Sequence, residues 1–329
     1  MVVRPTIFVR PTIRAIFVAL ASQRAGIPRC RVDADEPLLN LLAQRAVQTC
    51  CFTARNLRDG PTATWLDDFA GGGVEDFHGI DGLSQSWQWR EFYAAMLAAP
   101  HEEIEVESTL MKHRGGSPNN PYLQPTPMTY AHTIVPATLA ERVMSAGSTI
   151  AAEWIRDLKA YMEAENEERW RNRRREIGVG DPRDSATENM PANEAALFSD
   201  DEDSPYRGGN YDLLKTLLTR EAVRAALADD ALADGDRTFL RDFATERPLG
   251  GEQPYHRADV FIDEMLDAPV AIGAGATPAA LVDPSRVVAR VLDERRRLAD
   301  AWAETLERVP DEHVRLKREW LATLETADG

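Results

Sequence analysis

The 329-residue sequence is poor in residues that build disulfide or metal sites. Its three cysteines, Cys30, Cys50 and Cys51, form no C-x-x-C pair, which indicates neither a disulfide framework nor a zinc site. Cys50 and Cys51 lie on a predicted helix and are expected to pack as small hydrophobic side chains. The six histidines show no H-E-x-x-H pattern. The sequence therefore predicts no metal site.

Signatures of catalysis and of membrane insertion are also missing. No segment approaches the ~20 apolar residues that a membrane-spanning helix needs. There is no G-x-S-x-G nucleophile elbow and no cysteine within a recognisable nucleophile motif. Ile272–Gly275 contains two glycines of the dinucleotide pattern G-x-G-x-x-G, but the third is absent and Pro278 would interrupt the helix. We therefore expect no cofactor and favour a non-enzymatic function.

The formal net charge is −16, with 43 % hydrophobic residues. The apolar content is that of a globular protein. The acidic balance disfavours nucleic acid and anionic lipid as general partners. Residues 1–32 are the exception, with six arginines and no acids.

That N-terminal segment resembles an organelle transit peptide for a mitochondrion or plastid. The apolar run Ala15–Ala21 permits a secretory signal as an alternative. A disordered leader is another, and it would leave the protein cytoplasmic. Residues 1–32 are thus excluded from the predicted fold, and localisation to an organelle through a cleavable leader is the hypothesis.

Residues 33–180 are predicted to form a helical domain with one β-hairpin. Apolar spacing predicts helices near residues 35–58, 62–69 and 87–100. Alternating apolar residues predict two antiparallel strands, near 104–110 and 128–134. The intervening residues 113–127 are rich in Gly, Asn and Pro, which is typical of turns but also of long functional loops.

One very long amphipathic helix is predicted from Pro136 to Glu176. Proline suits its first turn, and Gly178, Gly180 and Pro182 supply the stop. At ~1.5 Å per residue such a helix is roughly 60 Å long, so its far end is expected to project or to bend near Gly147. An apolar or small stripe follows helical spacing through Leu139, Val143, Gly147, Ile150, Trp154, Leu158 and Tyr161.

The far end of this helix is rich in arginine. Acids at 163–168 precede it, and the cations suit the negative end of the helix dipole, so a solvated helix end explains the pattern. The alternative is a docking surface for another protein. Its candidate residues are Arg169, Trp170, Arg171, Arg173, Arg174 and Arg175.

Residues 181–205 are predicted to be an acidic disordered linker between two domains, since residues 181–204 hold eight acids and one base. Ser185, Ser199 and Ser204 are possible phosphorylation sites within it. The arginine-rich helix end folding back on Asp200–Asp203 is a further hypothesis. Residues 206–329 are predicted to be an all-helical domain, with Asn210 or Asp212 capping its first helix, Asp283 capping a later one and the last two helices forming a hairpin.

Two glycine pairs suggest an anion site. Consecutive backbone N–H groups at a helix start bind anions, and an adjacent arginine adds a bidentate partner. A structural turn is the alternative for each pair. The candidate residues are Arg207, Gly208, Gly209 and Asn210, with Arg114, Gly115 and Gly116 repeating the trio.

These features predict a mainly α protein with two domains. The first functional hypothesis is an organellar interaction protein that docks another protein through the long helix and its arginine-rich end. The second is an enzyme or ligand sensor with a phosphate-like anion bound at the two glycine pairs.

Overall fold

The structure is a computed structural model that describes residues 35–108, 128–161, 204–252, 254–272 and 281–327. Within these ranges the protein is mostly helical, which confirms the mainly α prediction. None of the described helices is long and apolar enough to cross a bilayer. The helices in these ranges are α1 Glu36–Asn56, α2 Gly60–Ala70, α3 Trp89–Ala98, α4 Pro136–Arg156, α5 Arg207–Ala228, α6 Asp234–Glu246, α7 Arg257–Leu266, α8 Pro284–Glu307 and α9 Val309–Ala327. The strands are β1 Glu102–Ser108, β2 Met128–Ile134, β3 Ala271–Ile272 and β4 Leu281–Val282.

Helix α1 is central to the fold. Every residue from Asn40 to Gln48 is buried, because α2, α4 and α5 all pack against it. The polar residues Gln44, Arg45 and Gln48 are therefore surrounded by protein. Buried polar groups need internal hydrogen-bond partners, so these side chains must be satisfied by other elements.

Helix α4 is the first part of the predicted long helix. It runs as continuous α-helix through Gly147 to Arg156 and is followed by a π-helical turn, Asp157–Tyr161. The predicted continuation to Glu176 lies outside the described residues. The apolar stripe, including Val143, Ile150 and Trp154, is buried in the core. In the described part of this helix the stripe thus packs within the protein itself.

Strands β1 and β2 pair antiparallel as predicted, from Glu102 opposite Ile134 to Ser108 opposite Met128. Helix α2 holds the pair in place. The indole Nε1 of Trp65 donates a 2.7 Å hydrogen bond to Glu102 Oε2, and Thr62 Oγ1 lies 3.1 Å from His132 Nε2. The glycine- and proline-rich segment 113–127 lies outside the described residues.

Two features of the C-terminal half differ from the sequence-based expectation. Helix α5 begins at Arg207, before the expected caps Asn210 and Asp212, which are both buried within the helix. Tertiary contacts explain this difference, because both side chains accept hydrogen bonds from other parts of the protein. The short pair β3–β4 was not predicted in a domain expected to be all-α. The cap of α8 is confirmed, with Asp283 accepting from Ser285 N at 3.0 Å.

The hydrophobic core forms two clusters that share helices α5 and α8. One cluster joins α1–α4 to the first half of α5, the second half of α8 and the start of α9. The other joins α6 and α7 to the remaining halves of α5 and α8. The first of these clusters therefore contains described residues from both sides of positions 181–205.

Candidate functional site

The structure describes only some of the predicted site residues. Arg207, Gly208, Gly209 and Asn210 form the first turn of α5. The other candidates lie outside the described residues, and their functions stay predictions: Arg114, Gly115, Gly116, Arg169, Trp170, Arg171, Arg173, Arg174 and Arg175.

The first turn of α5 carries backbone donors without partners. Arg207 N donates to Ser204 O at 3.1 Å, and Asn210 N donates to Tyr206 O at 2.7 Å. Within the described ranges, the N–H groups of Gly208 and Gly209 make no hydrogen bond, and no side chain caps the helix. Free N–H groups and the positive end of the helix dipole together favour an anion.

Arg207 is an ion-pair partner within the fold. Its Nη1 donates to Asp157 Oδ2 at 2.7 Å, and its Nη2 donates to Asp157 Oδ1, so the pair is bidentate. Both side chains are buried. Burial raises the pKa of the Asp157 carboxyl despite the opposing effect of Arg207. The arginine that the sequence indicated for anion binding thus ties α5 to the end of α4.

A second arginine, Arg45 of α1, points to the same helix start. Its side chain is only 4 % exposed, and its Nε donates to Asn210 Oδ1 at 2.5 Å. Its Nη1 donates to Gln48 Oε1, and its guanidinium lies 4.9 Å from the Tyr206 ring centroid. All of these partners are neutral. Burial lowers the pKa of Arg45 to about 10, so the group remains charged at neutral pH.

Among the described residues, Arg45 is not paired with a countercharge. In the described part of the chain, no carboxylate forms an ion pair with Arg45, and the groups that raise its pKa against burial are Tyr206 and Tyr255. Buried charges in proteins are normally paired, because an unpaired charge is costly to remove from water. An anion bound at this helix start would supply a countercharge.

Gly209 lies beside both Arg45 and Tyr255. A Cβ atom added to Gly209 would lie 3.5 Å from Arg45 Nη2 and 3.5 Å from the Tyr255 hydroxyl oxygen. The same addition at Gly208 would have no atom within 4 Å. The space beside Gly209 is therefore bounded by two polar groups that donate hydrogen bonds. We call Arg45, Gly208, Gly209, Asn210 and Tyr255 the α5 site.

Tyr255 is held by residues of α5 and of the loop before α3. Its ring lies 4.0 Å, centroid to centroid, from that of His78. The next residue, His256, donates its backbone N–H to Asp212 Oδ1 at 2.8 Å and has a left-handed φ of 62°. Asp212 is one turn after Gly209, so α5 fixes both sides of the site.

A polar chain links the site to α4. Asn210 Nδ2 donates to Ser204 Oγ at 2.7 Å, and that hydroxyl donates to Glu153 Oε2 at 2.8 Å. Ser204 N also donates to Glu153 Oε1. Glu153 is buried, which makes this chain a fixed part of the interior. Asn210 thereby connects Ser204 to Arg45 through its two amide atoms.

A second polar cluster lies around His313 on α9. Its Nδ1 is 3.3 Å from Ser148 Oγ, and its ring contacts that of Tyr93. Burial, with a smaller effect of Lys317, lowers the pKa of His313 to about 4. The adjoining cavity of about 10 Å³ holds at most a water molecule. No carboxylate hydrogen-bonds His313 within the described ranges.

The two described cysteines, Cys50 and Cys51, are not activated thiols. Burial raises the pKa of Cys50 to about 11 and raises that of Cys51 as well, so both are thiols, as their predicted packing requires. Among the described residues, no group of three or more His, Cys, Asp or Glu side chains is arranged to hold a metal ion.

Sequence reasoning missed Arg45 and Tyr255. A signal for Arg45 existed, because it lies four residues after Leu41 and three after Leu42 on the apolar face of α1. A charge at such a position indicates either a buried ion pair or a site. Nothing in the sequence places Tyr255 beside it. Comparisons with protein-family models, with curated proteins and with solved structures find no match for this chain.

Proposed function

We propose that this protein binds a phosphate-like anion at the α5 site. The observation that carries the proposal is the buried guanidinium of Arg45, which has no carboxylate partner in the described ranges and lies at the start of α5. The helix dipole, the free N–H groups of Gly208 and Gly209 and the Tyr255 hydroxyl supply the other favourable groups. The ligand is a small molecule that carries a phosphate-like group.

The chemistry of the site suits binding better than catalysis. Tetrahedral oxyanions accept several hydrogen bonds at once, and guanidinium and backbone N–H groups are their usual donors. The described residues beside Arg45 include amides, a phenol and glycines but no activated nucleophile with its base. We therefore retain the second sequence-based hypothesis in the form of a ligand-binding or ligand-sensing protein.

The first hypothesis, docking of a protein partner through the arginine-rich end of the long helix, has less support. An exposed apolar stripe on α4 would favour it, and the described stripe is buried in the core. The arginines themselves lie outside the described residues. Organelle localisation likewise stays a prediction from residues 1–32.

The two glycines give a matched test of the proposal. Gly209→Ala places a methyl group 3.5 Å from both Arg45 Nη2 and the Tyr255 hydroxyl, whereas Gly208→Ala places it in open space. Both variants keep the backbone N–H groups, and alanine suits a helix start. Inorganic phosphate would be titrated into the full chain by calorimetry at about 0.15 M salt, where the Debye length of about 8 Å screens distant acidic residues.

We expect the unmodified chain and Gly208→Ala to bind phosphate. Gly209→Ala should weaken binding by about tenfold or more, as expected when a charge-assisted hydrogen bond of about 1.5–3 kcal/mol is lost. Chloride at equal ionic strength controls for general screening. Equal binding by the two variants, or no heat from phosphate with the unmodified chain, would contradict the proposal.

A further inference from the structure

Ser204 combines an accessible position with a direct link to the α5 site. In the sequence it follows the acids Asp200–Asp203 and precedes Pro205. A serine followed by proline is the dipeptide that proline-directed protein kinases recognise. Pro205 is exposed and Ser204 is partly exposed. Asn210 Nδ2 donates to Ser204 Oγ, and Arg45 Nε donates to Asn210 Oδ1. Asn210 thus connects the Ser204 hydroxyl to the guanidinium of Arg45.

We propose that Ser204 is a phosphorylation site whose phosphoryl group occupies the α5 site from within the chain. The inference rests on the anion-binding function proposed above and assigns its regulation. A modified Ser204 would exclude the free ligand, because both place a phosphate group beside the same guanidinium. The kinase and the dephosphorylating enzyme would then set whether the site is available.

The covalent step is an ordinary phosphoryl transfer. A protein kinase brings a nucleoside triphosphate, and a bond forms between Ser204 Oγ and the γ-phosphorus. The bond from that phosphorus to the bridging oxygen breaks, the nucleoside diphosphate leaves and the hydroxyl proton is released. No redox change is involved.

Charge determines where the new group goes. The unmodified hydroxyl donates to Glu153 Oε2 at 2.8 Å, and Glu153 is only 1 % exposed. A phosphoserine carries about −1.5 to −2 charges at neutral pH and has no hydroxyl proton to donate, so it is repelled by that carboxylate. On the other side, Arg45 and the start of α5 attract it. The phosphate group is therefore expected to leave Glu153 and contact Arg45.

The first experiment asks whether Ser204 is accessible in the folded protein. The full chain would be incubated with a proline-directed kinase and ATP, and the product mapped by mass spectrometry. Ser204→Ala and Pro205→Ala should both abolish labelling at this position. A peptide of residues 196–210 serves as the control substrate. Labelling of the peptide but not of the folded chain would overturn the inference.

The second experiment asks where the phosphate group lies. Phosphoserine would be incorporated at position 204 during translation, and its ³¹P chemical shift followed against pH. The second pKa of a free phosphoserine is about 6, and contact with a guanidinium should lower it by about one pH unit or more. The lowering should vanish in Arg45→Gln and persist in Arg55→Gln, which removes an exposed arginine of the same helix.

Gly209→Ala is a second variant in case Arg45→Gln disturbs folding, since it fills the space and leaves Arg45 in place. It too should restore an ordinary phosphoserine titration. If phosphoserine 204 titrates as a free group in the otherwise unmodified chain, the inference is wrong.

Calorimetry with inorganic phosphate tests the phosphorylation of Ser204 separately from the anion-binding function on which it rests. Binding by the unmodified chain and none by the phosphoserine chain supports both. Undiminished binding by the phosphoserine chain overturns the inference alone. If Arg45 lowers the second pKa of phosphoserine 204 but free phosphate does not bind, phosphoserine 204 occupies the α5 site and the proposal of a free ligand is wrong.

Discussion

The guanidinium of Arg45 donates a hydrogen bond to the side-chain oxygen of Asn210, which is 165 positions away in the sequence. The contact joins the central helix α1 to the first turn of α5 through a cation and a neutral amide. An amide orients a guanidinium but does not neutralise it. The charge therefore stays available to an anion, while the geometry around it is already fixed.

Phosphate should stabilise the folded protein in a manner that depends on Arg45. A ligand that binds only the native state adds about 2.7 kcal/mol at ~100 times its dissociation constant. Thermal unfolding with and without phosphate should show this increase for the unmodified chain and for Arg55→Gln. Arg45→Gln should show almost none. The same increase in all three proteins would mean that phosphate acts elsewhere.

The buried pair of Arg207 and Asp157 should behave as a unit. Arg207→Met leaves a buried carboxylate without its bidentate partner, and breaking such a pair costs about 3–5 kcal/mol. The double variant Arg207→Met, Asp157→Leu removes both charges and should recover most of that loss. Urea unfolding of the two single variants and the double variant measures the coupling. Additive losses would show that the two side chains do not stabilise the fold as a pair.

Two glycines in close-packed surroundings should respond oppositely to alanine. At Gly147, inside α4, a Cβ atom would meet only ordinary contacts of 3.5–3.6 Å. Gly147→Ala should therefore stabilise the protein by about 0.5–1 kcal/mol through helix propensity. At Gly79 a Cβ atom would lie 2.2 Å from Gly251 O, so Gly79→Ala should destabilise it. Denaturation midpoints that move in the same direction for both variants would contradict this reading of the packing.

Sequence periodicity predicted most of the helices because an amphipathic helix repeats its apolar positions locally. Helix α8, with Asp283 as its cap, and the strand pair β1–β2 follow from spacing alone. The start of α5 was misplaced since Asn210 is a good capping residue by type. Its actual partners, Arg45 and Ser204, belong to other segments, and no local rule identifies them.

The candidate site was half predicted for the same reason. The glycine pair at Gly208 and Gly209 is a local signal, and it lies at a helix start as expected. Which arginine lies beside the glycine pair depends on the tertiary fold, because Arg207 is adjacent in sequence but pairs with Asp157. One of the two core clusters also joins segments on either side of the acidic stretch, which a composition boundary does not reveal.

His313 should make the protein less stable in mild acid. It is 5 % exposed and lies between Ser148 and Tyr93. Burial lowers its pKa from 6.5 to about 4, so the folded state holds the neutral ring while the unfolded chain takes up a proton. The stabilising contribution is present above pH 6.5 and is lost as the pH falls from there towards 4.

Between pH 7 and pH 5 this proton uptake should remove about 2 kcal/mol of stability, on the basis of 1.36 kcal/mol per pKa unit. Urea unfolding at the two pH values measures the total loss, to which the carboxylates also contribute. His313→Gln should lose about 2 kcal/mol less than the unmodified chain over this interval, whatever its stability at pH 7. The exposed His101→Gln is the control and should match the unmodified chain. An identical loss in all three proteins would show that His313 takes up its proton equally in the folded and unfolded states.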